Sequence, residues 1–160
     1  MVKKNTGKRL SEYNSIIKET DELYRGVAKA LGLPDCAFWI LYVLREEGEV
    51  LTQSEICYAL YQPKQTVNSA LKKLEYDGCI ELTEMDDRRS KQIQLTEKGG
   101  KLAEKTVDKV IAAEHKALSG LTETEQETFI GLFRKYAGLL RNNMEELRME
   151  ELDIQELNGK

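Results

Sequence analysis

One histidine and three cysteines in 160 residues leave little material for a metal centre or a covalent nucleophile. His115 shares no ligand spacing with Cys36, Cys57 or Cys79, so no metal is expected. The chain lacks a Cys–His or Ser–His arrangement, a phosphate loop and a dinucleotide fingerprint, so neither a cofactor nor an enzyme activity is expected. No apolar run approaches the ~18 residues of a membrane helix. The basic start "MVKKNTGKRLSEY" is not followed by the apolar stretch of a secretory signal. An odd number of widely spaced cysteines suits reduced thiols better than a disulfide framework. Charged residues make up 32% of the chain and the mean hydropathy is −0.52. Together these features predict a soluble, cytoplasmic protein with no membrane partner.

The net charge of −4 lies against a polyanionic partner only until it is located. Residues 142–160 hold six acids (Glu145, Glu146, Glu150, Glu151, Asp153, Glu156) against Arg148 and Lys160, which is the whole excess. Residues 88–101 hold Arg88, Arg89, Lys91, Lys98 and Lys101 against Glu97 alone, a local +4. Binding to a phosphate backbone responds to the local field rather than to the sum.

The hydrophobic pattern divides the chain into helices with one hairpin between them. Leu10, Tyr13, Ile17, Tyr24, Val27 and Leu31 recur at helical spacing, and Gly32 and Pro34 end that helix. "DCAFWILYVLREEG" is apolar nearly all round, which predicts a buried helix stopped at Gly48. Leu51 suits a short strand. Thr52 and Glu55 form a capping box for a helix over 53–60. Pro63 suits a first helical position, Val67, Leu71 and Leu74 make one stripe, and Gly78 closes the helix. "CIELTEM" and "KQIQLT" alternate with period two around "DDRRS", which reads as a hairpin. Thr96 is expected to cap one long helix through about residue 118, and Gly120 to stop it. Thr122 and Glu125 form a second capping box. The helix they open carries Phe129, Phe133, Tyr136, Leu140, Met144 and Leu147. An acidic tail that frays is expected from about residue 149.

Two short consecutive helices followed by a hairpin describe a mainly α fold, a winged helix-turn-helix. The inward stripe of the second short helix turns Gln65, Asn68, Ser69 and Lys72 outward, with Lys64 and Thr66 at its exposed first turn. Gln and Asn side chains can bond an adenine edge, Ser and Thr a base or phosphate, and Lys a phosphate or guanine. A solvated helix face accounts for the same residues. In the hairpin tip, a guanidinium is drawn to a narrow, negative minor groove. Asp87 is placed to hold Arg89 extended through a bidentate pair, leaving Arg88, and Lys91 beside it, for phosphate. A surface ion pair of about 0–1 kcal/mol accounts for the same tip.

The stretch "LEYDGCIELTEMDDRRSKQIQLTEKG" resembles the wing region of the MarR (multiple antibiotic resistance regulator) transcription factors. It has a Leu-Glu-x-x-Gly helix end, an Asp-x-Arg wing at Asp87, Arg88 and Arg89, and an exit at Leu95, Thr96 and Gly99. One departure is the Gln62–Pro63 opening, where many members carry a Ser or Thr run. The resemblance implies N- and C-terminal dimerisation helices over 8–32 and 97–148, flanking a winged helix over 33–96 and followed by a tail over 149–160. It also implies a homodimer that represses or activates transcription and often responds to a small ligand. Arg89 would be the minor-groove residue and Asp87 its support.

The apolar stripes of the outer helices exceed what a winged-helix core covers, and a second copy would bury them about a two-fold axis. A monomer folding them onto its own hairpin is the alternative. Paired reading helices would sit ~34 Å apart on a near-palindromic operator in double-stranded DNA. A winged-helix protein-interaction module without DNA binding remains a different reading. Tyr13, Tyr24, Phe38, Trp39 and Tyr42 are candidate pocket residues for a small aromatic effector, which the family binds between its dimer helices and winged helix; plain core packing fits them too. The zinc-sensing branch needs ligands that are missing here. The peroxide-sensing branch carries a reactive cysteine in the first helix, where residues 8–31 have none. Cys57 and Cys79 read as inert core thiols, while Cys36, at a helix start, is the one whose thiolate would be favoured.

Overall fold

The computed structural model describes residues 2–46, 50–84 and 91–157. The elements are α1 (Val2–Ala30), α2 (Asp35–Glu46), β1 (Leu51–Thr52), α3 (Gln53–Leu60), α4 (Lys64–Tyr76), β2 (Ile80–Glu84), β3 (Lys91–Leu95), α5 (Glu97–Lys105), α6 (Val107–Leu118) and α7 (Glu123–Leu157). The fold is mainly α with one small antiparallel sheet ordered β1-β3-β2, a winged helix-turn-helix. Gly48 and the hairpin tip, Asp86 to Ser90, lie outside the described residues. The chain forms two compact units, Met1–Ala112 and Ala113–Lys160.

In the first unit, α2 buries Ala37, Phe38, Ile40, Leu41, Val43 and Leu44, as its nearly uniform apolar composition predicts. Val67, Leu71 and Leu74 of α4, Ile56 of α3 and Ile93 of β3 meet that helix in one core. Each such side chain contributes about 1.5–3 kcal/mol by leaving water. Leu51 of β1 pairs with Ile93, so the winged hairpin is tied to the strand that leads into the helix pair. β2 pairs with β3 from Ile80↔Leu95 to Glu84↔Lys91.

Four sequence expectations are corrected. α1 begins at Val2 rather than near residue 8. Pro63 is the N-cap of α4, not its first helical residue, because its ψ of 137° is still extended. The helix expected to run unbroken to residue 118 is interrupted at Thr106, whose backbone (φ −126°, ψ −91°) leaves the helical region. Thr106 is buried, and its hydroxyl donates to Leu102 O at 2.7 Å, so the break leaves no orphaned side-chain group there. The acidic C-terminal stretch is helical through Leu157 instead of fraying at 149.

The second unit holds the end of α6 and all of α7. The capping box is present: Thr122 N–H donates to Glu125 Oε2 at 2.8 Å, and Glu125 N–H donates to Thr122 Oγ1 at 3.4 Å. α7 is 35 residues long, about 52 Å at 1.5 Å per residue. It exposes Phe129, Ile130, Leu132, Phe133, Leu139, Leu140, Met144 and Leu147. In the first unit, α1 likewise exposes Leu10, Ile16, Ile17, Leu23 and Val27. Among the described residues no single helix is long and apolar enough to cross a membrane.

Candidate nucleic-acid interface

The joint that carries the hairpin is built from the residues of the Leu-Glu-x-x-Gly and Leu-Thr-x-x-Gly stretches. Gly78 follows α4 with φ +69°, a region that L side chains rarely adopt. Gly78 N–H donates to Glu75 O and Cys79 N–H to Leu74 O, each at 2.8 Å, which closes the helix with a Schellman turn. Thr96 then binds the turn from the other strand. Its hydroxyl donates to Gly78 O at 2.7 Å and its N–H to Cys79 O at 3.1 Å. The same hydroxyl accepts from Gly99 N–H at 3.0 Å, capping α5. Gly99 must lack a side chain because a Cβ there would fall 1.8 Å from Cys79 O. The two roots of the hairpin are thus locked to each other and to the end of α4.

α4 presents Lys64, Gln65, Thr66, Ser69 and Lys72 to solvent, with Asn68 half-buried. The Ser69 hydroxyl donates to Gln65 O at 3.0 Å, so its proton is held by its own helix. Among the described residues no side chain caps the α4 N-terminus. Its first-turn amides and its positive dipole end are therefore left for an anion.

Between α4, the start of α3 and the hairpin lies a groove of 410 Å³. Lys64, Asn68, Lys72 and Lys91 line it, with Glu75 the one acid among the described lining residues. The structure thus brings four of the sequence-predicted residues together. Gln65, Thr66 and Ser69 lie on α4 outside this groove lining. Asp87, Arg88 and Arg89 lie outside the described residues.

The lining also includes residues that sequence reasoning missed. Gln53 and Ser54 open α3 beside Lys64, and Gln53 Nε2 is buried with no hydrogen-bond partner among the described residues. Leu82 and Ile93 form its apolar side. Sequence reasoning also missed three tyrosines. Tyr58, Tyr61 and Tyr76 are 77%, 85% and 87% exposed, more than any other large hydrophobic side chain described. The inward Ile56–Leu60 spacing on α3 was the signal that turns Tyr58 outward. Tyr61 caps α3 in the left-handed region (φ 49°, ψ 33°), which costs a non-glycine residue about 1–2 kcal/mol.

The aromatic candidates for an effector form a ring cluster at the α1–α2 contact. Centroids lie 5.1 Å apart for Tyr24–Trp39, 5.0 Å for Phe38–Trp39 and 5.4 Å for Trp39–Tyr42. Phe38 is fully buried, and Tyr24, Trp39 and Tyr42 pack half-buried on the core. Tyr13 stands three turns from Tyr24 along α1, about 16 Å. A groove of 620 Å³ at the turn between α1 and α2, lined by Arg25, Lys29, Leu33 and Asp35 among others, includes none of these rings. The expectation for Cys36 is reversed. Burial, then the neighbouring Asp35 carboxylate, pushes its thiol pKa up, against thiolate formation. Cys79 is buried and Cys57 half-buried. No group of three or more His, Cys, Asp or Glu among the described residues is placed to hold a metal.

The comparisons agree with this architecture. The MarR family model matches residues 31–90. The chain is 31% identical over 105 residues to the HTH-type transcriptional regulator YwoH of Bacillus subtilis, covering 66% of this chain and 76% of that one. The fold matches that of NMB1585, a MarR family regulator from Neisseria meningitidis, with a TM-score of 0.74 at 24% identity over 86% of this chain and 97% of that one. It also matches MepR of S. aureus, solved as a DNA complex, with a TM-score of 0.62 at 26% identity over 81% and 96% of the two chains. The chain belongs to the MarR family of transcriptional regulators.

Proposed function

We propose that this regulator is a cytoplasmic homodimer that binds a near-palindromic operator in double-stranded DNA and represses transcription from it. The observation that carries the reading is the groove in which Lys64 and Lys72 of α4 face Lys91 of the hairpin. Such an edge suits a phosphate backbone, with α4 entering the major groove. Gln65, Thr66, Asn68 and Ser69 are the base and phosphate contacts on that helix. Asp87 extends Arg89 into the minor groove, and Arg88 takes a phosphate. MepR, which shares the fold, is a regulator whose complex with DNA has been solved.

The exposed apolar faces of α1 and α7 support the dimer, because faces of this extent on a soluble protein mark an interaction surface. A small aromatic effector at Tyr13, Tyr24, Phe38, Trp39 and Tyr42 would shift the spacing of the two reading helices and relieve repression. A mobility-shift assay on DNA from upstream of the chain's own gene tests the reading. Wild type is expected to shift the duplex, and Arg89→Ala to bind at least ~10-fold more weakly with an unchanged melting temperature, the loss of one desolvated charged contact. Equal shifts by the two proteins would remove Arg89 from the interface.

A further inference from the structure

Tyr61 occupies a position whose backbone favours glycine or asparagine, yet it carries a large side chain that is 85% exposed. Neither packing nor backbone geometry accounts for a tyrosine there. An exposed non-glycine residue in the left-handed region points to a use for its side chain. Tyr58 stands beside it, with ring centroids 6.0 Å apart and planes tilted by 33°. This partner restricts the Tyr61 ring while leaving the pair in solvent. Only Gln62 and Pro63 separate Tyr61 from Lys64, so Tyr61 stands in the turn that leads from α3 into the start of α4.

In a helix-turn-helix, the first helix crosses the DNA backbone and the second enters the major groove by its N-terminus. The turn between them therefore lies at the phosphate edge of the groove. Resting on the DNA-binding reading above, we propose that Tyr61 is a positioning residue for the operator. Its hydroxyl donates to a backbone phosphate at the mouth of the major groove, and Tyr58 holds its ring in place. Pro63 has neither a hydroxyl nor an N–H to offer, so the tyrosine adds a neutral side-chain donor to the first-turn amides at this end. The contact sets how deep α4 sits without adding charge.

The test is operator binding by fluorescence anisotropy at several salt concentrations, with thermal melting of the same proteins. Tyr61→Phe removes only the hydroxyl. It is expected to weaken binding about 10- to 100-fold, the value of one hydrogen bond to a charged acceptor. The slope of log affinity against log salt stays unchanged, because a neutral donor releases no counterion. Lys64→Ala, by contrast, lowers that slope by about one. Tyr61→Gly is expected to weaken binding at least as much as Tyr61→Phe while raising the melting temperature by about 3 °C, since it relieves the backbone. Wild-type affinity in both Tyr61 variants, with wild type binding DNA, overturns the proposal and leaves the DNA-binding reading intact. A lowered salt slope in Tyr61→Phe, or a lowered melting temperature in Tyr61→Gly, also overturns it. If wild type binds no operator, both readings fall together.

Discussion

Gly99 shows how much can rest on one missing methyl group. The carbonyl of Cys79 occupies the space where its Cβ would stand, and that carbonyl already accepts from Thr96 N–H. The obstructing atom is backbone, so it cannot rotate away. Gly99→Ala is expected to cost about 3 kcal/mol and to lower the melting temperature by roughly 6–12 °C. Thermal unfolding followed by circular dichroism measures this, and a shift within a degree of wild type would contradict the geometry of the joint. The glycine was legible in the sequence as part of a Leu-Thr-x-x-Gly exit. Its reason was not, because the clash is with a residue twenty positions earlier in the chain. Tyr61 was illegible for a related cause. A left-handed backbone leaves no trace in a pattern of polar and apolar residues when the residue adopting it is not a glycine.

At the scale of elements, local signals were the most readable. Both capping boxes form, at Thr52–Glu55 and Thr122–Glu125, because each needs only residues three apart in sequence. The hairpin register and the buried stripe of α4 follow from periods of two and 3.6. The break at Thr106 was not readable, since no Gly or Pro marks it. A feature beside that break gives the fold an acid-sensitive tie. Arg45 of α2 pairs through two hydrogen bonds with Asp108 of α6, Nε to Oδ1 at 2.8 Å and Nη2 to Oδ2. Hydrogen bonding to the Arg45 guanidinium holds the Asp108 carboxyl below the ordinary aspartate value. The backbone N–H and hydroxyl of Thr52 hold Glu55 below the ordinary glutamate value of 4.5, and those of Thr122 do the same for Glu125. A carboxylate whose native pKa is depressed stabilises the fold above its unfolded value and loses that contribution as pH falls through the native value. Stability is therefore expected to be level near neutrality and to fall below about pH 4.5. The Arg45–Asp108 pair is about a third exposed, so solvent screening limits it to about 1 kcal/mol. Asp108→Asn is expected to lower stability by about that amount at pH 7 and by less at pH 3, as denaturant unfolding at the two pH values would show. An equal loss at both would mean the carboxylate charge contributes nothing.

For the whole molecule, the net charge of −4 misleads until it is divided. The net acidic excess lies in the last nineteen residues, while Lys64, Lys72 and Lys91 share one groove of the winged helix. The fold class and the outward face of α4 could be read from periodicity alone. The groove could not, because Gln53, Ser54 and Leu82 reach it through the pairing of β1 and β2 with β3 rather than through any local pattern. The apolar faces of α1 and α7 pose the remaining question at this scale, and the proposed second copy would answer it by placing two winged helices on one duplex. The most direct test is the affinity of wild type for its upstream operator as salt rises from ~50 to ~200 mM, with the number of chains per duplex read at saturation. The account predicts two chains per site and an affinity that falls linearly in log–log form, by about 10³-fold or more over that range. Saturation by a single chain, or an affinity indifferent to salt, would contradict it.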